Sequence, residues 1–334
     1  MKKKTIRMIP VIAGVIFASI GGIVVLQGMQ NMEEAQSGYE AEAAYDMEGS
    51  AAGTVTWNGK TYRYNDHLSN YLFLGVDKEA LAETKTGYLD AGQTDAIFLL
   101  SWDRVEGSIL VISIPRDTMT PYNYYGREEQ ELGRVKGHLS LAYAYGDGKH
   151  GSCQLTVQAV SDLFYGLPIE RYCAVSLEAL PVTMEEIGAV TVTIPNNSLE
   201  GKYPEYEEGT KVTLDAGNVE PFIRYRDIEV SQSALTRLER QEVFLEAFME
   251  QAEQQFQADP GFVTRTYEAL QPYMVTNAGA DQFAKLMECL ARQGKPEHWT
   301  VPGTGVEGEL YDEYHVDEDA LYEMMIETFY VEEV

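Results

Sequence analysis

The chain has 334 residues, of which 23% are charged, and a formal net charge of −28. Setting aside Lys2, Lys3, Lys4 and Arg7 lowers that charge to −32, which excludes a general nucleic-acid binder, because such a protein replaces phosphate counterions with basic surface. The length leaves room for one domain of moderate size with an anchor and a tail.

Residues 1–7, MKKKTIR, form a basic N-terminus, and residues 8–29 carry no charge. A stretch of that length crosses a hydrocarbon layer of about 30 Å as a helix. With basic residues before it and NMEEAQSGYE after it, the positive-inside rule predicts a single-pass protein of the cell membrane, N-terminus cytoplasmic and the rest outside. A cleaved signal peptide is the competing reading, with AEAA at Ala41–Ala44 as the cut site. Residues 30–53, rich in Glu, Ala, Gly and Ser, read as an acidic flexible stalk.

The folded part opens with TVTWNGKTYRYN, where Asn58-Gly59 between alternating runs predicts a hairpin. YLFLGVD, DAIFLLSWD and SILVISIP follow as continuous apolar runs, read as buried strands. The link DRVEG is hairpin-like, so the sheet is expected to be mixed. Gly151–Phe164 has helical spacing, RYCAVSL reads as a strand, and Ala179–Ile187 as a helix closed by Gly188. AVTVTIP and EPFIRYRD read as further strands. Ser231 or Ser233 is placed to cap a long helix through TRLERQEVFLEAFMEQAEQQF. Beyond Pro260 three short helices and no strand are expected, ending in an acidic tail. Strands interleaved with helices give an α/β layered core.

Cys153, Cys173 and Cys289 are odd in number and far apart, so they encode neither a disulfide framework nor a zinc site and read as buried small hydrophobes. Three other features carry possible chemistry. Asp77 ends one predicted strand and Asp95 opens the next, so both carboxylates can meet at one rim of the sheet and hold Mg²⁺ or Mn²⁺, or else cap turns there. Arg116 follows Pro115 at the end of a buried strand, where a planar guanidinium can clamp an anion or pair with Asp117. Arg224, Arg226, Arg237, Arg240 and Gln241 fall within 18 positions of a chain with only 25 basic residues. Read as groups on facing elements, they make a pocket for a pyrophosphate; the competing reading is surface ion pairs. Leu141–Gly146 and the helix face Phe244, Phe248 and Met249 suit either core or a lipid groove.

The order YLFLGVD, QTDAIFLL, VISIPRDT, KGHLSLAYAYG, IGAVTVTIP, FIRYRD, RLERQ resembles the LytR-CpsA-Psr family from about residue 69 to 250. The resemblance implies an α/β domain with a mixed central sheet between helices, holding a polyprenyl pyrophosphate in an elongated apolar tunnel; together with the elements read above, it gives a domain over 54–257 and leaves 258–334 as an acidic helical region. It implies a transferase of cell-wall biogenesis that moves a glycopolymer, such as teichoic acid or capsule, from the lipid carrier onto peptidoglycan, with Mg²⁺ on the pyrophosphate. By position, Asp77 and Asp95 match the metal-associated aspartates, and Arg116, Arg224, Arg226, Arg237 and Gln241 match the pyrophosphate-binding set. Arg116, Asp95 and Asp77 are the expected catalytic residues. Two positions depart from the pattern: Gln93 stands where the family commonly has arginine, and Ala234 where it has aspartate. Asp117 or Asp227 would then have to activate the acceptor hydroxyl. A non-catalytic scaffold for the same lipid, or an envelope regulator, is the alternative.

Overall fold

A computed structural model describes residues 54–227, 229–293, 296–308 and 311–333. The predicted membrane span at 8–29 and the stalk at 30–53 lie outside the described residues, among which no helix is long and apolar enough to cross a membrane.

β1 (Thr54–Trp57) and β2 (Lys60–Tyr64) form the predicted hairpin, with Asn58 and Gly59 at φ of 49° and 76°. Two successive positive φ values give the turn whose twist matches paired strands, and Asn-Gly tolerates them best. β3 (Leu68–Val76), β4 (Thr94–Asp103) and β5 (Ile109–Ser113) pair antiparallel in succession. Between β4 and β5 the Asp103 carboxylate accepts the N–H groups of Val105 and Glu106 at 2.8 and 2.9 Å, closing the turn. Side chains of these strands divide between two cores. Tyr71, Phe73, Phe98, Leu100 and Val111 enter one, and Leu72, Leu74, Ile97, Leu99 and Ile112 the other. Strands covered on both faces have no solvent side, hence the unbroken apolar runs.

β6 (Met119–Tyr125) and β7 (Glu131–His138) make a hairpin beside the sheet, and two 3-10 turns follow, with Tyr143 fully buried in the second core. α1 (His150–Leu163) leads to β8 (Arg171–Val175), which pairs parallel with β3. After α2 (Ala179–Ile187), β9 (Val190–Thr193) pairs only with β10 (Lys211–Leu214), apart from the central sheet. α3 (Val219–Arg224) occupies the segment EPFIRYRD, which the sequence had suggested was a strand. Its buried residues Val219 and Phe222 are three apart, and Pro221 sits in the first turn, where its missing N–H has no intrahelical partner to lose. Arg224 therefore ends a helix while Arg226 lies in the coil after it, so the two do not share a strand face.

α4 (Ser233–Ala258) is the expected long helix, but neither serine caps it. Gln232 holds the cap position at φ 61°, Ser231 donates to Asp312 at 2.9 Å, and the Ser233 hydroxyl is buried without a partner. Beyond it come α5 (Phe262–Leu270), β11 (Met274–Thr276), α6 (Ala280–Gln293), β12 (Glu297–Thr300), the hairpin of β13 (Gly303–Glu307) and β14 (Asp312–Val316), α7 (Glu318–Phe329) and β15 (Tyr330–Glu332). The three expected helices are there; the expectation of no strand is overturned. Strands of three to five residues carry too little alternation to read, and pairing defines them. β11 lies antiparallel to β8 and β12 parallel to β5, so both edges of the six-stranded sheet β11-β8-β3-β4-β5-β12 come from this late segment. Helices α2 to α6 pack on one face of the mixed sheet and α1 and α7 on the other. The three cysteines are free and buried.

Candidate active site

The pairing of Val76 with Thr94 puts Asp77 and Asp95 at the same rim of the sheet. Asp77 follows β3, its N–H donates to the Gln93 carbonyl at 2.9 Å, and its carboxylate accepts the Gln93 N–H at 2.6 Å. Gly92, at φ +93°, makes this possible, since a Cβ there would meet the Asp77 carboxylate at 2.8 Å. Asp95 is the second residue of β4.

Arg116 leaves β5 through Pro115, whose carbonyl accepts both the N–H and the hydroxyl of Thr118, a turn that aims the guanidinium back over the rim. It donates to Asp95 Oδ1, to Gln93 Oε1, to the Ser140 hydroxyl at 3.2 Å and, through Nε, to Asp117 at 3.2 Å. From the facing helix α4, Arg237 donates to Asp95 Oδ2 at 2.8 Å with only 3% of its side chain exposed. One carboxylate thus lies between two guanidiniums. Burial pushes both arginines down to about 10, helped at Arg116 by the charges of Arg237 and Arg226 and at Arg237 by those of Arg226 and Arg224. They keep their charge at neutral pH, so two cations stand partly desolvated with one carboxylate shared between them.

Two cavities meet here. An open basin is lined by Asp95, Tyr203, Glu220, Arg224, Arg226 and Arg237. Beside it an apolar slot, about 760 Å³ with its mouth, runs between Phe73, Phe98, Val175, Leu180, Phe244 and Leu245, with Asp95, Arg224 and Gln241 at its polar end. Arg224 is half exposed and pairs with Glu220 at 2.8 Å. Arg226 makes no ion pair among the described residues. Gln241 donates to the Ile223 carbonyl at 3.1 Å while its Oε1 is buried without a partner.

Arg240 does not join the set. Fully buried, it donates to the carbonyls of Phe222, at 2.8 Å, and Tyr225 and to the Ser198 hydroxyl, tying the exit of α3 to α4. Tyr143 and Phe248 belong to the core, whereas Phe244 lines the slot. Sequence reasoning missed Ser140 and a buried group behind the site: Glu242, one residue past Gln241, lies 4.0 Å from His298, which bonds the Ser113 hydroxyl at 2.8 Å. Burial raises the Glu242 carboxyl to about 7. No local pattern announces a contact between residues 56 positions apart, though an acid between Gln241 and Phe244 on an apolar face was a signal. Among the described residues no group of three or more His, Cys, Asp or Glu side chains is arranged to hold a metal ion.

TagU of Oceanobacillus iheyensis, a polyisoprenyl-teichoic acid–peptidoglycan teichoic acid transferase, is 32% identical over 193 residues, covering 57% of this chain and 53% of that protein. TagT of Bacillus subtilis, which carries the same activity in its name, is 25% identical over 188 residues, covering 54% and 52%. The chain spans about half the length of these curated relatives. Among solved structures, TagT bound to LI-WTA superposes with a TM-score of 0.58 at 19% identity, over 78% of this chain and 89% of that one. TagV of B. subtilis gives 0.58 at 17% identity, over 79% and 97%. At such identities these two likenesses establish the fold, a mixed-sheet α/β domain. The family model, which matches residues 25–329, covers nearly the whole chain, and the chain belongs to the LytR_cpsA_psr family.

Proposed function

We propose that the protein is a membrane-anchored phosphotransferase that moves a glycopolymer from a polyprenyl-pyrophosphate carrier onto a hydroxyl of peptidoglycan. The observation that carries the reading is the junction of two chemically opposite cavities: an apolar slot and a guanidinium-lined basin share Asp95 and Arg224. A ligand matching both has an isoprenoid tail and a diphosphate head. The names of the relatives support the same substrates.

In this reading the tail runs along Phe73, Phe98, Leu180 and Phe244, and the diphosphate replaces Asp95 and Glu220 as partner of the arginines. The exchange is favourable because a diphosphate offers more charge and more oxygens to planar donors than a carboxylate does. Phosphoryl transfer requires mainly positioning and neutralisation of charge spreading over the oxygens. Arg116 and Arg237 meet that need in a partly water-free setting, where each charge acts more strongly than in bulk. The acceptor oxygen attacks the phosphorus that bears the glycan, and polyprenyl monophosphate departs.

Asp77 and Asp95 are the residues that would hold Mg²⁺ or Mn²⁺, both being hard oxygen donors. Asp77 keeps one oxygen without a hydrogen bond among the described residues, and arginines that turn to the phosphates release Asp95. Such a cation would supply further charge neutralisation on the diphosphate. A membrane span at 8–29 keeps the domain where the carrier diffuses laterally, which suits an acidic protein that cannot attract an anionic lipid from a distance.

The test uses the full chain in detergent micelles with a polyprenyl-pyrophosphate oligosaccharide, Mg²⁺ and peptidoglycan fragments. Mass spectrometry is expected to find glycan joined to peptidoglycan through phosphate with the unmodified chain and not with Arg116→Ala. Tight carrier binding without product would favour a scaffold, a reading suggested by Ala234, buried without a polar side chain in the first turn of α4. No carrier binding would sink both.

A further inference from the structure

Arg116 faces two ways. Its two Nη atoms serve Asp95, which lines the basin, together with Gln93 and Ser140. Its Nε turns to Asp117 Oδ1 at 3.2 Å, and the same oxygen lies 3.6 Å from His138 Nδ1. Asp117 is thus the carboxylate through which the arginine clamp touches a histidine. The two side chains are 13% and 16% exposed, sheltered yet open to an incoming group. His138 Nε2 makes no hydrogen bond among the described residues.

Backbone contacts fix this arrangement from both sides. His138 ends β7 opposite Met119, and the two residues after it are pinned to the clamp: the Leu139 N–H donates to the Thr118 carbonyl at 2.9 Å and the Ser140 N–H to the Arg116 carbonyl at 3.0 Å. From the β13–β14 hairpin, the Tyr314 N–H donates to the Asp117 carbonyl at 2.9 Å. Tyr311 sets its ring edge-on to the imidazole, centroids 6.3 Å apart, while remaining 73% exposed. The charged and titratable groups facing His138 are therefore Asp117 and, behind it, Arg116, with Tyr311 from the hairpin and Lys136 two residues back on its own strand.

We infer that His138, oriented by Asp117, takes the proton of the attacking acceptor hydroxyl, and that the acceptor glycan approaches between His138 and Tyr311. The inference rests on the transfer reading above. An imidazole whose Nδ1–H points at a carboxylate presents the lone pair of Nε2, the arrangement a general base requires. Separations slightly beyond a hydrogen bond are usual before substrate closes such a site. As the acceptor oxygen bonds to phosphorus, its proton passes to Nε2; the bridging P–O bond breaks with its electron pair on the lipid phosphate, which leaves as the monophosphate. The exposed tyrosine ring offers a flat face to a sugar. The other acids that could serve are worse placed. Asp227 is exposed and accepts the Glu229 N–H of its own turn at 3.0 Å, and Ala234 offers no acid at all.

The test measures transfer by the full chain against pH, together with affinity for a fluorescent polyprenyl pyrophosphate. His138→Gln is expected to lose roughly 10²–10⁴-fold in transfer rate with carrier affinity unchanged within twofold, and the acid limb of the pH profile should vanish. Imidazole should restore part of the rate to His138→Ala. Asp117→Asn, which keeps the imidazole but not its orientation, should lose part of the same rate, and added imidazole should not restore it. Transfer by His138→Gln within threefold of the unmodified chain, or a loss that follows carrier affinity, overturns the inference. No product from the unmodified chain overturns the transfer reading and this one together.

Discussion

Helix α4 carries buried guanidiniums toward two different regions, and their partners differ in kind. Arg237 looks to the rim, where its partner is a carboxylate already shared with Arg116 and its Nε has none. Arg240 looks inward, and its donors end on two backbone carbonyls and a serine hydroxyl. In the first cluster two buried guanidiniums share the Asp95 carboxylate beside an open basin; the second is closed and filled. A buried cation with satisfied neutral acceptors serves the fold, whereas buried cations that share a replaceable carboxylate at the edge of a cavity serve a ligand. That difference can be broken by mutation on either side.

The largest expected effect is on the closed cluster. Arg240→Met removes three hydrogen bonds at once and leaves the Phe222 and Tyr225 carbonyls buried without donors, a loss of about 3–5 kcal/mol. Urea denaturation measures it. An effect under about 1 kcal/mol would mean that water replaces the guanidinium and that the inner cluster is not structural.

Glu242 gives the next effect, and it depends on pH. Its carboxyl is raised to about 7 by burial, so the folded form retains a proton that the unfolded chain has already released above about 4.5. Stability from this group is complete below that lower value and is lost as pH rises through about 7. Glu242→Gln, which stays neutral, should therefore be more stable than the unmodified chain at pH 8, by up to about 3 kcal/mol, and equal to it near pH 4. Thermal unfolding across pH 4–8 decides; parallel curves for the two proteins would mean that His298 and the Thr300 hydroxyl, which donates to Glu242 at 3.4 Å, accommodate the ionised carboxylate.

The same contrast explains what the sequence could and could not reveal. β3, β4 and β5 were legible because burial on both faces writes itself as unbroken apolar runs, and Asp77, Asp95 and Arg116 were legible because they stand where those runs stop. Arg237 and Arg240 are three positions apart, an angular difference of about 60° on the helix, too little for the spacing to tell them apart. Only the position of α3, itself read wrongly as a strand, decides which of them meets carbonyls and which meets Asp95. The edge strands were illegible for a related reason: EHWT becomes β12 by lying along Leu110–Ser113, and nothing within four residues encodes that neighbour.

Arg224 gives the smallest effect and the sharpest test of the boundary between the cavities. It is half exposed and pairs with an equally exposed Glu220, a contact worth little to stability in water, so Arg224→Gln should leave urea denaturation unchanged within about 0.5 kcal/mol. Yet it lines both the slot and the basin, the point a lipid diphosphate must cross from tail to head. Carrier affinity should fall several-fold at low salt, and because an exposed charge is screened within about 10 Å at 0.1 M salt, the two proteins should converge as salt rises. Equal affinities at every salt concentration would move the head group away from this junction, toward Arg116 and the β6–β7 side.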